Sequence, residues 1–520
     1  MPPQLLTDGP CGHFLIPNED KMSNLLYNIC RATFVIPWTS GLIKERRNGG
    51  FSVHDGSIAG VVLLTTVVII IFETLFVLPI NKSKILMIGL LGVAILCLVC
   101  SSIAVALRSH WTVRRTVKPS DKLKLKFLWI FVIGNIIYQA MQLALHIVCN
   151  IVDDTTNIYY AFTWTFQIFQ TIFIHYFSRF RFANMLCLYY GLLVLFVTNI
   201  SMWTQQTIYS YLMKHPTDPS DIINVSDFIN RSYCGNNDGL MDTLNFSEPY
   251  LEPVLLEYCL LSLIFISEMW PKQKFKNERL EFDDSVSAND STEIDPLLNN
   301  SVGSLTTHQA LWNRTSFCVL FISLIYSASF VVFECVLIYV PTAQQYITIS
   351  NTYFFCGNIL RIPVIIRAFY AFSGELRPKM SYRSWINMNH CVILASSFAT
   401  CGYYVIECFT MEGSSSLSDV LYTLNAIFRT IATILQTSFI LQVKQYRKTG
   451  DQRPFCSIQN TFLFLCCSNF GIWFSYTFVT ARYRSEMRQD FLFENFWYPF
   501  TIFYHFECFV SFYRFFKENK

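Results

Sequence analysis

The chain has 520 residues, of which 52% are apolar and 14% charged, with a formal net charge of +3. Soluble chains carry about a quarter charged residues, so this composition excludes an ordinary soluble multi-domain protein, and the small net charge gives no reason to invoke nucleic acid. The apolar residues fall in blocks of about twenty, the length at which an α-helix crosses the hydrocarbon core of a bilayer.

The blocks predict spanning helices near 57–79, 84–107, 125–149, 155–177, 183–204, 250–270, 311–339, 344–371, 386–411, 416–443, 458–480 and 493–514. The fold class is therefore all-α transmembrane, about twelve helices in two parallel six-helix repeats. The division is a cytosolic N-terminal segment (1–56), a first half (57–270), a disordered cytosolic linker (271–310), a second half (311–514) and a cytosolic C-terminus (515–520). A further apolar stretch over 22–44 is broken by Arg31 and Pro37 and reads as a cytosolic or interfacial helix. The N-terminus has no basic-then-apolar leader, so the first spanning helix is expected to direct insertion.

Charge sets the expected orientation. Basic clusters precede the first helix (Lys44, Arg46, Arg47) and fill the even-numbered loops, for example Arg114, Arg115, Lys118 and Lys122. Basic loops stay cytosolic, which puts both termini in the cytosol. Arg482, Arg484 and Arg488 in the eleventh loop are the exception. The fifth loop, expected outside, holds three glycosylation sequons, at Asn224, Asn230 and Asn245. The linker, rich in Ser, Asn and Asp, contains Glu293-Ile294-Asp295-Pro296-Leu297-Leu298. That string matches an acidic dileucine sorting signal; the plain alternative is a chance match.

The halves echo each other. Gln170-Thr171 in the fourth helix is matched by Gln436-Thr437 in the tenth, and Thr198-Asn199 with Trp203 in the fifth by Ser468-Asn469 with Trp473 in the eleventh. Tyr258 follows Pro253 by five residues in the sixth helix, and Tyr504 follows Pro499 by five in the twelfth. Six helices per half is an even number, so the repeats share one orientation.

Polar residues recur at helical spacing inside the apolar blocks: Asn135, Gln139, Gln142 and His146; Thr163, Gln167 and Gln170; Ser396, Thr400, Tyr403 and Glu407; Asn425, Arg429 and Gln436; Tyr498, Thr501 and His505. Singly, such residues serve as interhelical hydrogen bonds. As a set they favour a hydrated path. Glu407, His146, His505, His175 and Glu257 are the titratable members that can exchange protons. No phosphate-binding loop, nucleophile elbow, zinc motif or paired Cys/His set appears, so no enzyme and no cofactor or metal is expected.

At these residues the chain resembles the otopetrins, a family of proton-selective channels. The resemblance is carried by Gly134-Asn135-Ile136-Ile137-Tyr138 with Gln142, Gln170-Thr171-Ile172-Phe173, Arg181-Phe182-Ala183-Asn184-Met185, Thr198-Asn199 with Trp203, Pro253 with Glu257-Tyr258 and Met269-Trp270, and Phe496-Trp497 with Phe512-Tyr513-Arg514. It implies two barrel-like halves, a homodimer in a lipid bilayer, protons as the passenger, and constrictions at Gln170, Asn199 and Tyr258 and at Gln436, Asn469 and Tyr504. The family's third helix usually carries an acid where this chain has Gln142. Glu407 lies at about the equivalent place in the second half, so it and Gln142 join the candidates for proton relay or pH sensing. The expected function is a proton channel at the plasma membrane or an endolysosomal one. A secondary transporter of a small solute and a non-conducting sensory receptor are the rivals.

Overall fold

The computed structural model describes residues 66–71, 74, 80–107, 112–114, 118–148, 154–182, 186–214, 238–270, 314–337, 343–375, 377–378, 388–409, 417–443, 446–447, 456–480 and 492–518. Of the first expected span, residues 66–71 and 74 are described and are helical. The interfacial helix expected over 22–44 and the linker lie outside the described residues.

Among the described residues, eleven long helices follow. In the first half they are α1 (Ile80–Leu107), α2 (Pro119–Val148), α3 (Asp154–Phe177), α4 (Leu186–Lys214) and α5 (Asp238–Met269). In the second they are α6 (Arg314–Leu337), α7 (Ala343–Glu375), α8 (Met388–Phe409), α9 (Leu417–Val443), α10 (Cys456–Ser475) and α11 (Leu492–Glu518). A π-helical turn, Tyr476–Thr480, continues α10.

Beyond the first, of which only part is described, the expected spans recur, and the largest differences lie at two helix ends. α4 runs ten residues past the apolar block and α5 begins twelve residues before it. A helix does not stop where the hydrophobic residues stop if its polar side chains find partners. Gln205 does so, accepting from Tyr159 Oη at 3.1 Å and donating to Ser83 Oγ at 3.3 Å. By length and composition, Lys82–Ile103, Pro119–Ala144, Ile349–Tyr370, Val420–Val443 and Ile458–Phe478 suffice to cross a membrane. Large apolar side chains such as Ile85, Leu96, Ile130, Phe321 and Phe398 point outward from the bundle, as in a protein whose solvent is lipid.

The two halves repeat pair for pair. α1 packs on α3 and α4; in the second half α7 packs on α9 and α10. α2 packs on α3 and α5 as α8 packs on α9 and α11; α5 touches α3 and α4 as α11 touches α9 and α10. Even the loops repeat. Strand β1 (Thr112–Arg114) pairs antiparallel with β2 (Phe180–Phe182), and β3 (Arg377–Pro378) with β4 (Tyr446–Arg447). Each clip joins the loop after one helix of the half to the loop two helices on.

Residues 70–520 form one compact unit. The halves meet through an aromatic cluster: Phe127 of α2 lies edge-on to Trp473, Phe506 and Phe509 at ring distances of 5.5, 5.1 and 5.9 Å. Two buried carboxylates also bridge them. Lys124 Nζ sits 2.8 Å from both oxygens of Glu507, and Glu257 accepts bonds from α10 and its π turn. Some approaches tolerate no side chain: a Cβ on Gly471 of α10 would lie 2.6 Å from Ser327 Oγ and 2.7 Å from the Ser327 carbonyl oxygen on α6.

Candidate functional site

In the first half, three helices converge on a fully buried cluster. α3 supplies Gln170 and Thr171, α4 supplies Asn199, and α5 supplies Tyr258, all without solvent exposure. The two amides bond reciprocally: Gln170 Nε2 donates to Asn199 Oδ1 at 3.0 Å, and Asn199 Nδ2 donates to Gln170 Oε1 at 2.9 Å. Asn199 Nδ2 also donates to the Leu195 carbonyl, which fixes its rotamer. Tyr258 Oη receives Gln170 Nε2 at 3.4 Å, lies 3.2 Å from Thr171 Oγ1 and donates to the Gln167 carbonyl.

The second half builds the same cluster from α9, α10 and α11. Gln436 Nε2 donates to Asn469 Oδ1 at 2.9 Å, and Asn469 Nδ2 returns a bond to Gln436 Oε1 at 3.2 Å. Asn469 Nδ2 reaches the Leu465 carbonyl as Asn199 reaches Leu195. Tyr504 Oη lies 3.5 Å from Gln436 Nε2 and 2.9 Å from Thr437 Oγ1, and donates to the Thr433 carbonyl. One member is added: His505 Nδ1 lies 3.1 Å from Asn469 Oδ1 and donates to it when that nitrogen carries the proton. Its counterpart beside Tyr258 is Cys259.

A polar ladder leads from the first cluster. Gln167, one turn before Gln170, is fully buried, as are Thr163 and Asn135; Gln139 is nearly so and donates to Asn135 Oδ1 at 3.3 Å. Among the described residues, Asn135 Nδ2, Gln139 Oε1 and both amide atoms of Gln167 have no hydrogen-bond partner. Gln142 stands further along α2, half-buried, accepting from Tyr160 Oη at 2.7 Å and donating to Tyr138 Oη at 2.8 Å.

The other expected site residues are dispersed. Glu257 precedes Tyr258 but takes no part in its cluster; its Oε1 accepts from Trp473 Nε1 and Thr477 Oγ1. His175 accepts from Trp129 Nε1 at 3.2 Å near the end of α3. Glu407 and His146 lie on α8 and α2, with side chains outside the described residues. Asn245 lies in the opening turns of α5, its side chain likewise outside. Asn224, Asn230, Glu293, Leu297 and Leu298 fall entirely outside them.

Sequence reading missed four participants. Thr171 and Thr437 immediately follow the two glutamines, so the doubled Gln-Thr pair was their signal. Lys124 is buried and paired with Glu507. Arg361, inside the apolar block of α7, is 2% exposed, and its Nε has no hydrogen-bond partner among the described residues. Its only signal was an arginine standing, with Arg367, inside a long apolar run. No group of three or more metal-ligating side chains is present among the described residues.

Comparison with known proteins bears on this arrangement. No curated protein matches the chain. The otopetrin family model matches residues 206–515, more than half of the chain, a stretch that holds Tyr258 and the whole second cluster. Gln170 and Asn199 lie outside the match, and the internal repeat ties them to it. The chain is a multi-pass membrane protein that belongs to the otopetrin family.

Proposed function

We propose that the protein is a proton-selective channel that passes H⁺ down its gradient and responds to acid. The observation that carries this reading is the cluster of two reciprocal amides and a tyrosine hydroxyl, with the ladder of buried amides beside it. Unpartnered amide atoms in an apolar interior cost a few kcal/mol each, so the free atoms of Asn135, Gln139 and Gln167 call for water. A file of water held by neutral donors and acceptors lets protons hop, while a hydrated metal ion finds neither the width nor the charge it needs. Gln170, Asn199 and Tyr258 close the narrowest point, so opening requires the reciprocal amide pair to part.

Around this core, Glu407, Glu257, His505, His146, His175 and Gln142 relay protons or tune the pH response. The chain works as a homodimer in the plasma membrane, or in an endolysosomal membrane if Glu293, Leu297 and Leu298 direct it there. Surface labelling of a variant with Ala at both leucines tests that routing by the fraction at the cell surface.

Whole-cell recording under an imposed acid step tests the main reading. The reversal potential is expected to follow the proton gradient and to ignore Na⁺ and Cl⁻. A current coupled to a solute would favour a secondary transporter, and no current at all would favour a receptor.

A further inference from the structure

A second bonded triad stands on the same helices as the polar ladder. Tyr160 Oη of α3 donates to Gln142 Oε1 of α2 at 2.7 Å, and Gln142 Nε2 donates to Tyr138 Oη, one turn back on α2, at 2.8 Å. Both tyrosines are buried. Another bond between the two helices, from Trp129 Nε1 to His175 Nδ1 at 3.2 Å, sets them antiparallel in a fixed register. Counting inward from the triad by that register, Gln139 and Thr163 each lie three residues away, and Asn135 and Gln167 each lie seven. These four polar side chains are buried and stand at matching heights.

Along α3 the order is therefore a bonded triad at Tyr160, a buried polar stretch, and the bonded cluster of Gln170, Asn199 and Tyr258. Tyr160 and Gln170 are separated by about 15 Å at the rise of an α-helix, about half the hydrocarbon core. At both ends every amide atom has a partner. Between them, among the described residues, Asn135 Nδ2, Gln139 Oε1 and both amide atoms of Gln167 have none. The second half does not repeat the triad at Tyr160. Counting back from Gln436 as from Gln170, the matching position holds Ala426, which has no hydroxyl. Yet α8 packs on α9 as α2 packs on α3. The packing of this helix pair does not demand the bond.

We infer that Tyr138, Gln142 and Tyr160 are a second closure of the first-half path, in series with Gln170, Asn199 and Tyr258, and that the polar stretch between them holds the water through which protons pass. This rests on the proton-channel reading above and gives Gln142 a particular part in it: Gln142 holds the path shut and does not carry the proton. Neutral hydrogen bonds are exchanged for bonds to water at small net cost, so such a closure opens thermally. Two independent closures in series are open together only as the product of their open fractions, so loosening either one raises the current.

The test uses the full chain in cells, with acid-evoked current normalised to surface protein. Tyr160→Phe keeps the ring and deletes the donor to Gln142. It is expected to raise the current at least threefold, with the reversal potential still on the proton gradient. Tyr138→Phe, which removes the acceptor of Gln142 Nε2, is expected to raise it too, and decides the matter if Tyr160→Phe does not reach the surface. Tyr159→Phe is the control: its hydroxyl donates to Gln205 of α4, and its loss is expected to leave the current unchanged. Unchanged current in Tyr160→Phe makes the triad a tie between helices, and lowered current makes it part of the conducting file; either overturns the inference. An equal rise in Tyr159→Phe overturns it as general loosening, and failure of both Tyr138→Phe and Tyr160→Phe to reach the surface overturns it in favour of a structural role. Those results leave the channel reading intact, whereas absence of proton current from the unaltered protein defeats that reading and the inference with it.

Discussion

Glu257 of α5 accepts the indole N–H of Trp473 on α10 at 2.7 Å, a bond between residues 216 positions apart that pins one half of the protein to the other. Thr477 Oγ1, in the π turn, adds a second bond to the same oxygen at 3.1 Å. Oε2 has no partner among the described residues. The link therefore needs one acceptor oxygen, not a full carboxylate.

Glu257→Gln keeps that oxygen and is expected to melt within about 1 kcal/mol of the unaltered protein, whereas Glu257→Leu strands the indole N–H, the Thr477 hydroxyl keeping its bond to the Trp473 carbonyl, and costs about 1–3 kcal/mol. Thermal unfolding in detergent distinguishes the two. Equal melting of both variants would remove the bond from the account of how the halves are held.

Asn199→Leu removes both bonds to Gln170 and leaves that buried amide with only its long bond to Tyr258 Oη, at a cost of about 1–3 kcal/mol. The surviving surface protein is expected to carry at least tenfold less acid-evoked current, because leucine interrupts the water file. Lower stability with normal current per molecule would mean that the pair only holds helices together.

Glu407→Gln preserves size and hydrogen bonding and removes titration. The proposed sensing role predicts normal surface expression and a changed dependence of current on external pH. An unshifted pH response would take Glu407 out of the mechanism.

Gly471→Ala drives a methyl group into the Ser327 backbone of α6, where 2.7 Å separates the Cβ position from the carbonyl oxygen. Overpacking of this kind costs about 1–3 kcal/mol. Gly89 of α1 has nothing within 4 Å of its Cβ position, so Gly89→Ala is expected to be neutral or stabilising. Melting curves of the pair give the comparison, and similar loss in both would point to a general intolerance of these helices.

An external fifth loop predicts glycan at Asn224, Asn230 or Asn245 and a linker near residue 290 that antibodies reach only after permeabilisation. Treatment with a glycosidase should raise gel mobility. Unchanged mobility, together with labelling of the linker on intact cells, would reverse the orientation.

The sequence carried much of this arrangement because membrane helices advertise themselves and because the chain says the important things twice. Gln170 with Asn199 and Gln436 with Asn469 form a repeated order in the sequence itself. The pairing of Tyr504 with that order rested on its distance from Pro499 and on family resemblance, and the bond to Thr437 gives it a physical basis. Contacts between halves were not legible. Nothing local to Glu257 or Trp473 marks a bond across more than two hundred residues, and Lys124 reads as one member of a basic loop until its partner Glu507 is seen 2.8 Å away. Arg361 was not legible for a related reason: hydropathy averages scattered charges away, and nothing in the sequence separates buried Arg361 from exposed Arg367 less than two turns on.

The doubling has a consequence for how such a protein can vary. In a dimer of identical six-helix subunits, every substitution appears twice, so a charge that closes one path closes both. Here α4 and α10 with its π turn still read alike, with Asn199, Trp203 and Thr207 matching Asn469, Trp473 and Thr477. Their surroundings do not match: where α5 has Glu257, α11 has Phe503, and where α5 has Cys259, α11 has His505. Covalent fusion frees each copy to mutate alone, so the two halves can keep one fold while their buried chemistry diverges.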